Sequence, residues 1–304
     1  MGVIFALISA ISWGISNALV RKAQINTTFE SDVGTFITIL INNIVNITIL
    51  LFLLVIKARI DINLAGLLFF SLGGLFNSCI GRCLIFRCFE KVGAARGSVI
   101  KGITPLFVIG GGVFILKERM SALMWLGIGI ILSGVYIISH DTISQLGSDN
   151  DNTVAGNKSY MIKNIVLGIV ACGFLAGGNL FRKAGLQYIN SAVIGVTTGS
   201  FTAFIVLGAY LLLSGKKSEI IKSLKATNKE YVIGGAFTSA AVYFMFISMQ
   251  LIPISITNSV GSSEPLFSIL VSYWMLRDRE KITPQTVMGG CLIVVGGAVL
   301  IIFT

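Results

Sequence analysis

The run ISITNSVGSSEPLFSILVSYWML, residues 254–276, decides how the chain reads. It is long enough to cross the roughly 30 Å hydrocarbon core of a bilayer. Near its middle it carries Glu264 followed by Pro265. A carboxylate at that depth is expensive and marks a functional site by default. The proline removes one backbone donor and loosens the preceding turn. The same punctuation occurs earlier, as Thr104-Pro105-Leu106-Phe107 in a matching apolar run. Two Pro-Leu-Phe breaks in comparable runs point to a duplicated architecture.

Composition sets the class. Hydrophobic residues make up 55% of the chain and charged residues 12%, about half the ~25% of a soluble domain. Mean hydropathy is +0.89. The apolar residues come in blocks of spanning length, so the chain reads as an all-α polytopic membrane protein with little mass outside the bilayer. The formal charge of +10 is then a headgroup signal, because Lys and Arg cluster at the ends of apolar runs. It gives no reason to expect nucleic acid as a partner. The five cysteines (Cys79, Cys83, Cys88, Cys172, Cys291) lie in apolar runs without Cys-x-x-Cys spacing and read as buried hydrophobes. Met1-Gly2 brings no basic segment before the first run, which reads as a span and not a cleaved signal.

Ten spans are expected, at about 3–20, 33–56, 64–86, 95–116, 122–139, 162–181, 191–213, 231–251, 254–276 and 285–303. The stretch 141–161 has turn-forming composition and reads as a linker between two halves, 1–140 and 162–304. The halves repeat. Arg21-Lys22-Ala23 ends the first span and Arg182-Lys183-Ala184 the sixth. Lys117-Glu118-Arg119 and Arg277-Asp278-Arg279 follow the two prolines at one offset, and Gly127 and Gly134 match Gly289 and Gly296. Five spans per half, an odd number, make the second copy enter the membrane in the opposite sense, the inverted repeat many secondary transporters share.

With those features the chain resembles the EamA family of the drug/metabolite transporter superfamily, over essentially its whole length. The resemblance implies ten helices in two inverted five-helix repeats. It also implies that the first four of each half enclose a central cavity, and that both termini are cytoplasmic. The Lys and Arg count points the other way, since five Lys lie in 214–230, opposite the N-terminal side.

Site candidates follow from helical spacing and from that architecture. Thr257, Gly261, Glu264 and Ser268 share one helix face. Lys101 and Thr104 stand at the matching positions of the fourth span, so Lys101 and Glu264 are expected to project into one cavity. Lys101 has a second reading, snorkelling to the interface. Arg82 is a candidate for attracting an anionic group, with Arg87 nearer the helix end. Trp13, Asn17, Asn179 and Tyr243 are placed at the cavity because the first and third spans of each half should line it, and Asn258, a polar residue inside the ninth span, is counted with them. Pro105 and Pro265 are candidate hinges, or static kinks. No metal site or cofactor is expected: His140 is the only histidine and lies at a loop edge. Ser214-Gly215-Lys216-Lys217-Ser218 fails as a phosphate loop because Tyr210 replaces its first glycine.

The expected function is not enzymatic. It is secondary transport, with export a family-level expectation, of a small polar metabolite such as an amino acid. The expected setting is a monomer in the cell membrane, with two readings open for coupling: protons carried by Glu264, or uncoupled facilitation. The rivals are efflux of lipophilic or quaternary cations, and a receptor or scaffold that moves nothing.

Overall fold

The computed structural model describes residues 1–25, 31–55, 62–92, 100–148, 158–225, 229–275 and 283–303. Every regular element among them is helical. The first half contains α1 (Gly2–Ile25), α2 (Ser31–Val55), α3 (Leu64–Gly73), a π-helical stretch (Gly74–Gly81), α4 (Arg82–Val92), α5 (Thr104–Phe114) and α6 (Ala122–Ser148). The second contains α7 (Lys158–Tyr188), α8 (Ala192–Leu213), α9 (Lys217–Lys225), α10 (Lys229–Leu251), α11 (Ile254–Gly261), α12 (Glu264–Met275) and α13 (Pro284–Phe303).

Among the described residues six segments are long and apolar enough to cross a bilayer: Gly2–Val20, Asp32–Phe52, Leu64–Ile85, Lys163–Tyr188, Ala192–Leu213 and Lys229–Leu251. The outer surface agrees, since Phe114, Val55 and Leu213 are almost fully exposed in a way that only lipid would suit. Two of the other expected spans are broken. The turn at Gly102-Ile103 precedes α5, and the turn at Ser262-Ser263 separates α11 from α12. Helix also replaces most of the expected linker, since α6 runs to Ser148 and α7 starts at Lys158. Residues 140–148 contain no proline, and polar composition alone does not stop a helix that has left the bilayer. Residues 149–157, and the Arg277-Asp278-Arg279 turn, lie outside the described residues.

The halves pack reciprocally. α1 lies against α10, and the π stretch with its flanking α3 and α4 lies against α7. α2 meets α8, α5 meets α11, and α6 meets α13. Span one of each half thus pairs with span three of the other, and spans two, four and five pair with their counterparts. That is the exchange a two-fold axis produces. The glycines show it atom by atom. A Cβ on Gly134 would sit 2.6 Å from the Gly289 carbonyl oxygen, and one on Gly296 would sit 2.8 Å from that of Gly127. These are the matched glycines of the two last spans, touching crosswise.

A substitution there meets backbone, which cannot move aside. Gly134→Ala is expected to lower the melting temperature in detergent by several degrees, from overpacking of about 1–3 kcal/mol. Gly129→Ala, on the same helix with nothing within 4 Å of the added carbon, is expected to hold or raise it, because alanine favours helix by up to about 1 kcal/mol. Equal losses in the two variants would show that the glycine contact is not what limits packing.

Candidate functional site

The two helix breaks face the same space. In the first half Ile103 N donates to Ile100 O (3.0 Å) and Leu106 N to Ile103 O (3.0 Å). In the second, Ser263 N donates to Val260 O (3.0 Å) and Leu266 N to Ser263 O (3.0 Å). The pattern is identical at the matched positions. Each break starts a helix at the residue before the proline, and the second also ends the short helix α11. Broken helices of this kind are tolerated at membrane depth only where protein or a watery cavity covers the freed backbone. Glu264 therefore stands in the first turn of α12, where the helix dipole favours a negative charge.

Glu264 is held from two sides. Its Oε1 accepts from Lys101 Nζ at 2.7 Å and from Asn17 Nδ2 at 2.5 Å. The pair is partly buried, the side chains 30% exposed for Lys101 and 15% for Glu264. Lys101 thus reaches the other half and does not snorkel. Asn17 reaches Glu264 because α1 packs closely on α12. One turn earlier, a Cβ on Gly14 would come within 2.6 Å of Phe267 and 2.8 Å of the Ser268 nitrogen.

The π stretch sets the phase of the opposite wall. The Arg82 N–H donates to the Asn77 carbonyl, an i to i+5 bond that places these residues one above the other. A 3.6-residue period would have turned them apart. Asn77 Nδ2 donates to Leu175 O (2.9 Å) and to Asn179 Oδ1 (3.0 Å). Asn179 Nδ2 donates to Asn258 Oδ1 at 2.8 Å. A chain of amides thus links span three of one half to the broken span of the other. The guanidinium of Arg82 lies 5.1 Å from the centre of the Trp13 ring, and Lys101 Nζ lies 5.8 Å from it. Both distances allow cation–π attraction.

These groups enclose a cavity of about 160 Å³, below the ~300–1,000 Å³ of drug-sized pockets. Glu264, Lys101, Trp13, Asn17, Arg82, Asn179 and Asn258 all line it, with Pro105, Thr104, Thr257 and Asn77. Tyr243 does not; it packs in the apolar cluster around Phe70 and Phe246. The side chain of Pro265 lies outside the described residues. Arg87 turns away from the cavity to Asp32 (2.7 Å) and to the Tyr210 hydroxyl (2.9 Å).

Arg182 is the charged lining residue that sequence reasoning missed. In the sequence it reads as a span end, beside Lys183. In the structure α7 continues to Tyr188, and Arg182 is 4% exposed. It donates to Ser78 Oγ (2.8 Å) and Asn179 Oδ1 (3.2 Å), and its guanidinium lies 5.6 Å from the Phe246 ring centre. The signal available was the helical run on from Arg182 through residues 184–188, which contains no breaker except Gly185.

A helical membrane protein of two reciprocal halves with a polar chamber between broken helices has the architecture of a membrane transporter. The chain belongs to the EamA-like transporter family, whose model matches residues 1–140 and again 162–303. That makes it a transporter of the drug/metabolite type. A solved structure titled "Crystal structure of protein" is similar in fold, with a TM-score of 0.71 at 13% identity over 99% of this chain and 97% of that one. At such identity the likeness speaks to fold alone. Among curated proteins no match was found.

Proposed function

We propose that the protein is a secondary transporter of a small polar metabolite in the cell membrane, working by alternating access about the cavity between its halves. The observation that carries this reading is the Lys101–Glu264 ion pair, which joins the two broken helices across the pseudo-symmetry axis inside a solute-sized chamber. Ten spans in two inverted repeats complete the architecture, with each split helix counted as one crossing. Rocking of one half against the other would part the groups that line the chamber and expose it to each side in turn. Pro105 and Pro265, beside the two breaks, are the hinge positions. Glu264 is the sole carboxylate lining the cavity among the described residues, so a coupling proton would be taken up there, releasing Lys101. Export is the direction the family suggests.

Purified protein in proteoliposomes should exchange a radiolabelled solute, from a panel of small polar metabolites, faster than protein-free vesicles. An imposed proton gradient should accelerate that flux if Glu264 carries the proton. Absence of protein-dependent flux across the panel would favour a receptor or scaffold.

A further inference from the structure

The chamber is cationic, and its charge is unbalanced. Three cationic side chains line it, Lys101, Arg82 and Arg182, against the single carboxylate of Glu264. That carboxylate is already engaged by Lys101 at 2.7 Å. Among the described residues no carboxylate lies within ion-pair distance of Arg82 or Arg182. Arg182 at least has neutral acceptors. Arg82, only 8% exposed, donates no side-chain hydrogen bond to any described residue; it lies against the face of Trp13 and feels the charge of Glu264 only from beyond ion-pair distance. A guanidinium carries five N–H donors in a planar fork that suits an oxyanion. A buried charge with no counter-ion in contact is costly, and an arriving oxyanion would offset that cost.

The two helix breaks say where it sits. Both short helices present their N-termini to the chamber, and a helix N-terminus favours negative charge. At α12 the fold supplies that charge itself, through Glu264. At α5 the matching residue is Thr104. It is neutral, its buried hydroxyl has only the Cys172 thiol beside it, and the helix start has no side-chain cap. The carboxylate that stands at the start of α12 thus has no counterpart at the start of α5, and Arg82 lines the same chamber.

We infer that the transported solute is a small organic anion. Its oxyanion group, a carboxylate or a phosphoryl, is bound by Arg82 at the N-terminus of α5. This rests on the transport reading and narrows it to one charge class, against lipophilic cations.

The test is thermal unfolding of the full chain in a non-ionic detergent with charge-matched probes. Succinate is set against succinamide and 1,4-diaminobutane on the same four-carbon chain, and glycerol 3-phosphate against glycerol. At least one anion should raise the melting temperature by several degrees at millimolar concentration, and the neutral and cationic probes should not. Whether succinate or glycerol 3-phosphate acts more strongly separates the two oxyanions. Arg82→Gln should weaken that anion at least tenfold. Arg82→Lys should recover little, because an ammonium lacks the fork. Thr104→Glu would place a carboxylate at the start of α5 from within and is an independent check. It should raise the melting temperature of the unliganded protein and abolish the anion shift. Two results would overturn the inference: neither anion shifting the protein, or an anion shift that survives both Arg82→Gln and Thr104→Glu. The transport reading fails separately. Anion binding with no flux in vesicles removes transport and leaves the site, whereas flux of succinamide or 1,4-diaminobutane insensitive to Arg82→Gln removes the site and leaves transport.

Discussion

Glu264→Gln is expected to abolish transport and destabilise the protein, and adding Lys101→Met should restore the stability but not the transport. The amide keeps the shape of the side chain and removes its charge. Lys101 Nζ, 2.7 Å from that carboxylate, is then left without its counter-ion at membrane depth. Removing one partner of a fully buried pair costs about 3–5 kcal/mol. Both side chains keep some exposure, and solvent screening reduces the figure to roughly 1–3 kcal/mol. The melting temperature in detergent should fall by several degrees. Flux should fall at least tenfold, the equivalent of about 1.4 kcal/mol. The double variant leaves no charge unpaired, and replacing both members of such a pair is often neutral or stabilising. A double variant that regains flux as well as stability would show that the pair is only a structural tie. A single variant as stable as the parent would show that the tie is worth nothing.

The sequence makes some of this site legible for a physical reason. A charge inside an apolar run stands out whatever the fold, and so Glu264, Lys101 and Arg82 could be singled out before any coordinates. Their meeting needed one further step, the matched Pro-Leu-Phe breaks, which set the fourth spans of the two halves opposite each other. The remainder depends on departures from regular geometry. Asn77 and Arg82 share a wall because Gly74–Gly81 is π-helical, and a reading at 3.6 residues per turn puts them on different faces. Part of the cause is visible at Gly74, where a Cβ would lie 2.0 Å from the Gly199 carbonyl oxygen, so this segment runs backbone to backbone against α8. Arg182 was hidden for the opposite reason. An Arg-Lys pair after a long apolar run has the composition of an interface, and only the continued packing of α7 buries it. Tyr243 was placed at the cavity from span order alone, which fixes the helix but not the face it turns inward.

The symmetry is also informative where it fails. The backbone bonds at Ile100–Leu106 and Val260–Leu266 are the same, and so are the crosswise glycine contacts of the last spans. Against that common frame the two halves differ at the one position where each short helix begins, Thr104 in one and Glu264 in the other. A scaffold would need no such difference. A site that accepts one charged solute in one orientation does, because a perfectly two-fold chamber would offer the solute two equivalent poses.

Glu118→Ala is expected to open the chamber on the side covered by the turn between α10 and α11. Glu118 belongs to the first half, just past α5, yet its carboxylate is spent entirely on the second. Oε1 accepts from Ile254 N at 2.5 Å, and Oε2 from Ser255 N at 3.2 Å and Ser255 Oγ at 2.7 Å. It therefore caps the start of α11 from across the interface between the halves. Its position is prepared by the end of α5. Lys117 takes a left-handed φ of 55°, and Glu118 N closes back on Gly112 O at 3.0 Å, a helix ending that normally favours glycine at the left-handed residue. Gly112 leaves the room: a Cβ there would lie 2.5 Å from Ser255 Oγ and 2.6 Å from Glu118 Oε2. Beside this clasp Val3, Ile109, Ile252 and Ile256 share one buried cluster, which excludes water from that end. A hydrogen bond to a charged group contributes about 1.5–3 kcal/mol. Losing the clasp should therefore shift the balance between clasped and unclasped forms by at least tenfold. The measurement is the labelling rate of Ser9→Cys, a cavity position, in a chain whose own cysteines are replaced, using a membrane-impermeant maleimide on oriented vesicles. Added from the side of the α10–α11 turn, the reagent should react at least tenfold faster with the Glu118→Ala protein, and Gly112→Ala should act in the same direction. Glu118→Gln, which keeps one accepting oxygen without the charge, should fall between them and the parent. Equal rates in all four proteins would mean that the clasp stabilises the fold without governing access, and that closure on this side rests on the apolar cluster alone.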